Sequence, residues 1–204
     1  MADYAYAKEV YKELRDGLGP WTVANGFRRW PGRVAGWQRA AGADQILRFM
    51  FEGSGWPGDP EMGNSLTGLL QLDPSPGDAA ATPIRQSAFT GCLVRTELDR
   101  LASIQGAINR RRPPLPAQFK ADFQADTLLG LYLREQYDPS PSYQEGQSIP
   151  FSYYGIEDVR EWIRFLIETL PAALDRFFDG RVPPPIDTTP AHLKPKWLRN
   201  LRAP

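Results

Sequence analysis

The chain has 204 residues, 42% of them hydrophobic and 24% charged, with Lys plus Arg and Asp plus Glu balanced at 24 each. That length buries a core without metal or disulfide staples, and the neutral balance supplies no global field to recruit nucleic acid or an anionic membrane. A single cysteine, Cys92, excludes an intrachain disulfide, and with a single histidine, His192, a four-ligand His/Cys zinc site cannot form in a monomer.

Arg outnumbers Lys 19 to 5, which we read as codon bias in a GC-rich genome rather than recognition chemistry. The first residues, MADYAYAKEVYKEL, lack an apolar stretch and carry acids early, so a secretory leader is not expected. No run approaches the roughly 18 apolar residues of a spanning helix. The expected location is the cytosol.

Tyr4, Ala7, Val10, Tyr11, Leu14 and Leu18 recur at helical spacing, and a helix is expected over 4–18, stopped by Gly17 and Gly19-Pro20. Phe27 leads into a short strand, Pro31-Gly32 signals a turn, and Val34 to Arg39 reads as a second strand. Two alternating segments follow. In Gln45 to Glu52, Leu47, Phe49 and Phe51 face one way, and Arg48 and Glu52 share the other face with Ile46 and Met50. In Ser65 to Leu72, Leu66, Gly68, Leu70 and Leu72 share a face. Both read as antiparallel strands with one face buried.

The stretch from Asp73 to Pro83 has no apolar period and reads as a loop. Phe89 to Thr96 has strand composition, with Thr96 the expected N-cap of a helix over Glu97 to Asn109. RRRPPLP reads as an extended linker, because each proline disfavours helix before it. A helix is expected over Phe119 to Gln136, then a long loop, DPSPSYQEGQSIPFSYYG. Ile156 to Phe178 keeps the helical period throughout, with Pro171 expected to kink or divide it. Strands clustered between helices predict an α+β domain over 1–182. It would hold an antiparallel sheet of about four to five strands, with the N-terminal helix and the C-terminal helices packed on one face. A Pro-rich basic tail over 183–204 would follow.

Several chemistries are weakened by the residues themselves. A Ser-His-Asp or Cys-His enzyme would have to use His192, in the proline-flanked segment TPAHLKP, where an imidazole has no fixed orientation. Cys92 beside Leu93 reads as a buried thiol. No phosphate-loop or dinucleotide fingerprint occurs, and Gly53-Ser54-Gly55 leads towards a strand rather than a helix N-terminus. Carboxylate chemistry survives: Glu52, Asp59 and Glu61 could together hold Mg²⁺, although acids in a Pro/Gly loop are usually solvated turn formers. Glu157, Glu161, Arg164 and Glu168 have the spacing of ordinary surface ion pairs along one helix.

Basic clusters stand at Arg110-Arg111-Arg112 and in the tail, where Lys194, Lys196, Arg199 and Arg202 accompany Trp197. Such a segment could grip phosphates and stack a base. The tryptophans are the more telling feature. Trp30 and Trp56 stand beside prolines in predicted turns, and Trp near Arg is the composition of an interface anchor.

The motifs Gly26-Phe27-Arg28-Arg29, Trp37-Gln38-Arg39, Phe51-Glu52-Gly53-Ser54 and Ser65-Leu66-Thr67-Gly68-Leu69 resemble an uncharacterised bacterial family, domain of unknown function 4304. The likeness runs over about residues 5–73, and Glu52-Gly53 stands where the family has an amide and a base. The resemblance implies a bacterial soluble domain, of a kind that sits beside toxin genes as immunity proteins.

The function expected is a non-catalytic module that binds another protein and needs no cofactor. Its candidate contacts are Trp30, Arg39, Trp56, Asp59 and Glu61. Two other readings stay open: a metal-dependent hydrolase or nuclease using Glu52, Asp59 and Glu61, and nucleic-acid binding through Arg110–Arg112 or the tail. The loop GSGWPGDPEMGN is far longer than a two-residue hairpin turn, and such length is usually functional or disordered.

Overall fold

The computed structural model describes residues 4–31, 33, 35–42, 44–53, 63–74, 83–184, 186, 190 and 192–193. The fold is α+β, as expected. A first helix, α1 (Ala7–Ala24), precedes a meander of β1 (Arg28–Arg29), β2 (Gly36–Ala40), β3 (Gln45–Gly53), β4 (Asn64–Pro74) and β5 (Arg85–Ala88). Then come α2 (Arg95–Arg111), α3 (Lys120–Gln124), α4 (Leu128–Tyr137), β6 (Phe151–Tyr153) and α5 (Ile156–Phe178).

The pairings between these strands are antiparallel, in the order β1-β2-β3-β4-β5, with β6 also on β4, and an isolated parallel bridge joins Gln147 to Ile186. Leu66 pairs with Gly53 of β3 on one side and Phe151 of β6 on the other. So β5 and β6 lie end to end along the same edge of β4.

Register sets the two faces. Trp37 lies opposite Phe49 and Phe49 opposite Leu70, while Leu47 lies opposite Leu72. This face is buried beneath α1 and α5, as the alternation requires. A chain of rings runs through that core: Phe27 to Phe49 (5.4 Å), Phe49 to Phe51 (6.2 Å), Phe51 to Phe151 (6.5 Å) and Phe151 to Trp162 (5.0 Å). Ile46 and Met50, on the other face, are buried too. That face is therefore covered rather than simply wet.

Helix starts follow one device. The third residue of each long helix is an acid whose carboxylate accepts the N–H of the residue before the helix: Glu9 from Tyr6 (2.9 Å), Glu97 from Val94 (3.0 Å) and Asp158 from Gly155 (3.0 Å). Each such bond satisfies an amide that the helix cannot pair internally. For α2 this moves the N-cap from Thr96 to Val94.

Other expectations are corrected. α1 does not stop at Gly17 or Gly19-Pro20 but runs to Ala24. Pro20 removes one helical amide, and the buried Leu18 and Thr22 on either side hold the next turn against the core. The true stop is Asn25-Gly26, with Gly26 at φ 75°, where glycine is favoured. Phe89 to Thr96 is not a strand: Thr90–Cys92 form a 3-10 turn and α2 begins at Arg95. The helix expected over 119–136 is divided, because the Thr127 hydroxyl accepts from Gly130 N (3.0 Å) and starts α4 afresh. The long loop after it contains β6. Pro171 does not divide α5.

Glu161 and Glu168 pair across helices rather than along α5, with Arg111 (3.1 Å) and Arg100 of α2. No described helix is long and apolar enough to cross a membrane.

Candidate functional site

Trp30 donates its amide to Gly36 (2.9 Å), which places it on the outer face of the sheet, away from α1 and α5. Its ring lies under two guanidinium groups, Arg33 at 5.1 Å and Arg48 at 4.5 Å. Arg48 pairs with the buried Asp73 and donates to Gln38 (3.2 Å), and Gln71 donates to the same Asp73 carboxylate (2.7 Å). Half-buried Trp30 is thus the apolar element of an internal polar network. Such stacking contributes about 0.5–1 kcal/mol per cation at partly exposed sites.

Arg39 does not join it. Arg39 lies opposite Leu47, on the core side of the sheet. There it stacks on Phe27 at 4.7 Å and donates to the Asn25 carbonyl (3.1 Å), tying the end of α1 to β2. The two candidate contacts stand on opposite faces and cannot form one patch. Trp56, Asp59 and Glu61 lie outside the described residues. Glu52 forms an ion pair with Arg33 (3.0 Å). Among the described residues no three His, Cys, Asp or Glu side chains are grouped to hold a metal.

The arginine run is engaged within the fold. Arg110 donates to the Pro139 carbonyl (2.6 Å). Arg111 bridges Asp158 (2.9 Å) and Glu161 (3.1 Å) of α5, and Arg112 is buried. The three side chains diverge because consecutive residues at a helix end point about 100° apart. The basic residues of the tail from Lys194 onward lie outside the described residues. His192 meets only Asp126 (2.7 Å) among the described residues, with both side chains exposed. Cys92 is buried in the 3-10 turn rather than in a strand, and burial pushes its thiol up to about 11. It is no nucleophile at neutral pH.

A cavity of about 540 Å³ lies elsewhere. Its walls are β5 (Gln86, Ala88), the loop at Gly146 and Ser148, and the segment Val182–Pro184 beyond α5. Arg85 ties the end of α5 to β5, donating to the Phe177 and Phe178 carbonyls and stacking on the Phe177 ring at 5.8 Å. Ile186 then donates to the Gly146 carbonyl (3.0 Å).

Along this cavity β5 has a free edge. It pairs with β4 alone among the described residues. Phe89 donates to Gly68 (2.8 Å), and Ser87 lies opposite Leu70. Ladder alternation then turns the Gln86 and Ala88 backbone groups away from β4. The Ala88 carbonyl is taken by the Ser87 hydroxyl (3.1 Å) and the Cys92 thiol (3.6 Å). Gln86 keeps an outward N–H and C=O with no partner among the described residues. An unpaired edge beside a cavity can accept an extended chain; it carries no nucleophile or acid–base pair.

The sequence reading missed this site. Its lining includes Arg85, Gln86, Ala88, three glycines, two serines and two prolines, residue types with no chemical signature. Only topology makes β5 an edge. No family model, no curated protein and no solved structure matches the chain.

Proposed function

We propose that the protein is a non-catalytic interaction module that takes an extended segment of another protein along the free edge of β5. The observation that carries this reading is the outward Gln86 N–H and C=O beside a 540 Å³ cavity. Main-chain hydrogen bonds to such an edge give affinity, and a side-chain pocket next to it gives selectivity. The cavity is within the roughly 300–1,000 Å³ range of ligand pockets, large enough for one or two side chains of that segment. An immunity-type or defence-associated protein, capturing a segment of its target, is the biological setting we infer.

The test uses Gln86→Pro. Proline is tolerated on edge strands because the lost amide faces outward, so the β4–β5 ladder should survive. A partner or display-selected peptide that binds the native chain should bind this variant at least tenfold more weakly. Amide exchange at Gln86 and Ala88 should slow in the native complex. Equal binding by the variant, or unchanged exchange at those amides, would overturn the reading.

A further inference from the structure

Among the described residues that line the 540 Å³ cavity, Arg85 alone is charged, and no acid stands with it. Its guanidinium is half engaged. Nη1 donates to the Phe177 and Phe178 carbonyls at the end of α5. Nε and Nη2 bond to nothing among the described residues, yet neither is shut away from the surface. Two carbonyls on one nitrogen, with the Phe177 ring at 5.8 Å, fix the plane of the group.

Nη2 lies against Gly180, itself part of the cavity wall. A Cβ at this position would stand 3.0 Å from Nη2 and 3.3 Å from Cζ. A larger residue would cover what the glycine leaves open. The neighbouring Asp179 is taken by Arg181 (2.5 Å), and no ion pair reaches Arg85 among the described residues. Nε and Nη2 on one edge of a guanidinium are the two parallel donors that a carboxylate accepts as a fork.

Register says where a captured chain would bring that carboxylate. Arg85 lies opposite Leu72 and Gln86 opposite Gln71. Leu72 belongs to the core face of the sheet, where Arg85 meets Phe177, and Gln71 belongs to the outer face. A chain paired with the outward N–H and C=O of Gln86 puts the residue opposite Gln86 on the outer face. Alternation then sends the side chains of its two neighbours to the face of Arg85. Directly opposed side chains on one face lie within contact of each other.

We propose that the segment taken at the β5 edge carries an aspartate or glutamate next to the residue that pairs with Gln86, its side-chain carboxylate accepting from Nε and Nη2 of Arg85. The assignment rests on edge capture by β5 and adds the chemistry of the captured segment. Leu69, Val182 and the two prolines of the wall suit apolar neighbours of that acid. The pre-set guanidinium plane makes the pair selective, because a neutral amide in the same place offers one acceptor and a mismatched N–H pair.

The experiment selects a phage-displayed random peptide library on the immobilised full chain. Enriched peptides should share one acid. Synthesised with an amidated end, such a peptide should bind the native chain at least tenfold more tightly than its copy with Gln for Glu or Asn for Asp. In the ¹⁵N-labelled chain the Arg85 Nε–Hε resonance, identified by its loss in Arg85→Lys, should move with the acidic peptide and not with the amide copy. Arg85→Gln should abolish the difference between the two peptides, but it also unties α5 from β5, so the peptide change on the native chain decides. Peptides weakened by Gln86→Pro that carry no acid, tolerate the amide, leave Nε–Hε unmoved or need only a free C-terminal carboxylate overturn this proposal and leave edge capture standing. A selection without enrichment, or binders indifferent to Gln86→Pro, overturns both. Self-association of the chain that Gln86→Pro removes would make a second copy the occupant and likewise overturn the proposal.

Discussion

Cys92 illustrates how one side chain's surroundings decide its chemistry. Its thiol is 1% exposed and donates weakly to Ala88. Burial raises it from an ordinary value of 9.0 to about 11, against smaller lowering effects of Ser87 and Arg176. A raised value means the folded state holds the proton more tightly than the unfolded chain. This contribution is complete below about pH 9, falls as pH rises between about 9 and 11, and is gone above that window. Its size is on the order of 2–3 kcal/mol. Urea unfolding from pH 8 to 11 should therefore show a steeper alkaline loss for the native chain than for Cys92→Ala. The tyrosines Tyr143 and Tyr153, also raised by burial, titrate in both proteins and cancel in the comparison. Parallel slopes would show that the thiol is not held in an apolar site. Residue type alone predicted the buried thiol. It could not predict that Trp30 would be clasped by Arg33 and Arg48, because those partners come from the next turn and from a neighbouring strand.

At the level of elements, legibility tracked the length of the apolar pattern. α5 was readable to the residue, since Val159, Trp162, Ile163, Leu166, Leu170 and Leu174 face the core along its whole length. β3 and β4 were readable for the same reason at period two. β6 was hidden because three residues are too few to show a period, and β5 because RQSA has no strand signature. Gly17 was misread as a stop, although its role is spatial. A Cβ there would stand 2.9 Å from both Cδ1 and Cγ2 of Ile163, so the glycine lets α1 approach α5. Gly17→Ala would gain about 1 kcal/mol of helix propensity and lose about 1–3 kcal/mol to overpacking. The net expectation is a destabilisation of about 1 kcal/mol. Removing both of those atoms should relieve the overpacking: Gly17→Ala with Ile163→Ala should be less destabilised than the two single changes predict by addition. Additive urea midpoints would mean the two helices do not meet at this point.

On the scale of the whole molecule, the first and last helices close the fold on each other. α1 packs on α5, Ala5 donates to the Tyr154 carbonyl (2.9 Å), and Arg160 of α5 pairs with Glu13 of α1 (2.6 Å). β6 joins β4 across some 85 residues of chain, from Leu66 to Phe151. The resulting core is shared: Phe151 and Trp162 continue the ring chain begun by Phe27 and Phe49. A segment ending at Arg111 would carry α1, the meander and α2, yet leave the core face of β3 and β4 without α5. Exposing those rings forfeits roughly 1.5–3 kcal/mol for each large apolar side chain uncovered. That loss is comparable with the 5–15 kcal/mol by which a domain is normally stable, once Phe51, Leu66 and Leu70 are bared together. The segment 1–111 should therefore lack near-UV circular dichroism and resist no protease. The full chain should unfold in one urea transition, with tryptophan fluorescence and far-UV signal coinciding. Two separated transitions, or a protease-resistant 1–111 segment, would divide the molecule into units that the shared ring chain says it does not have.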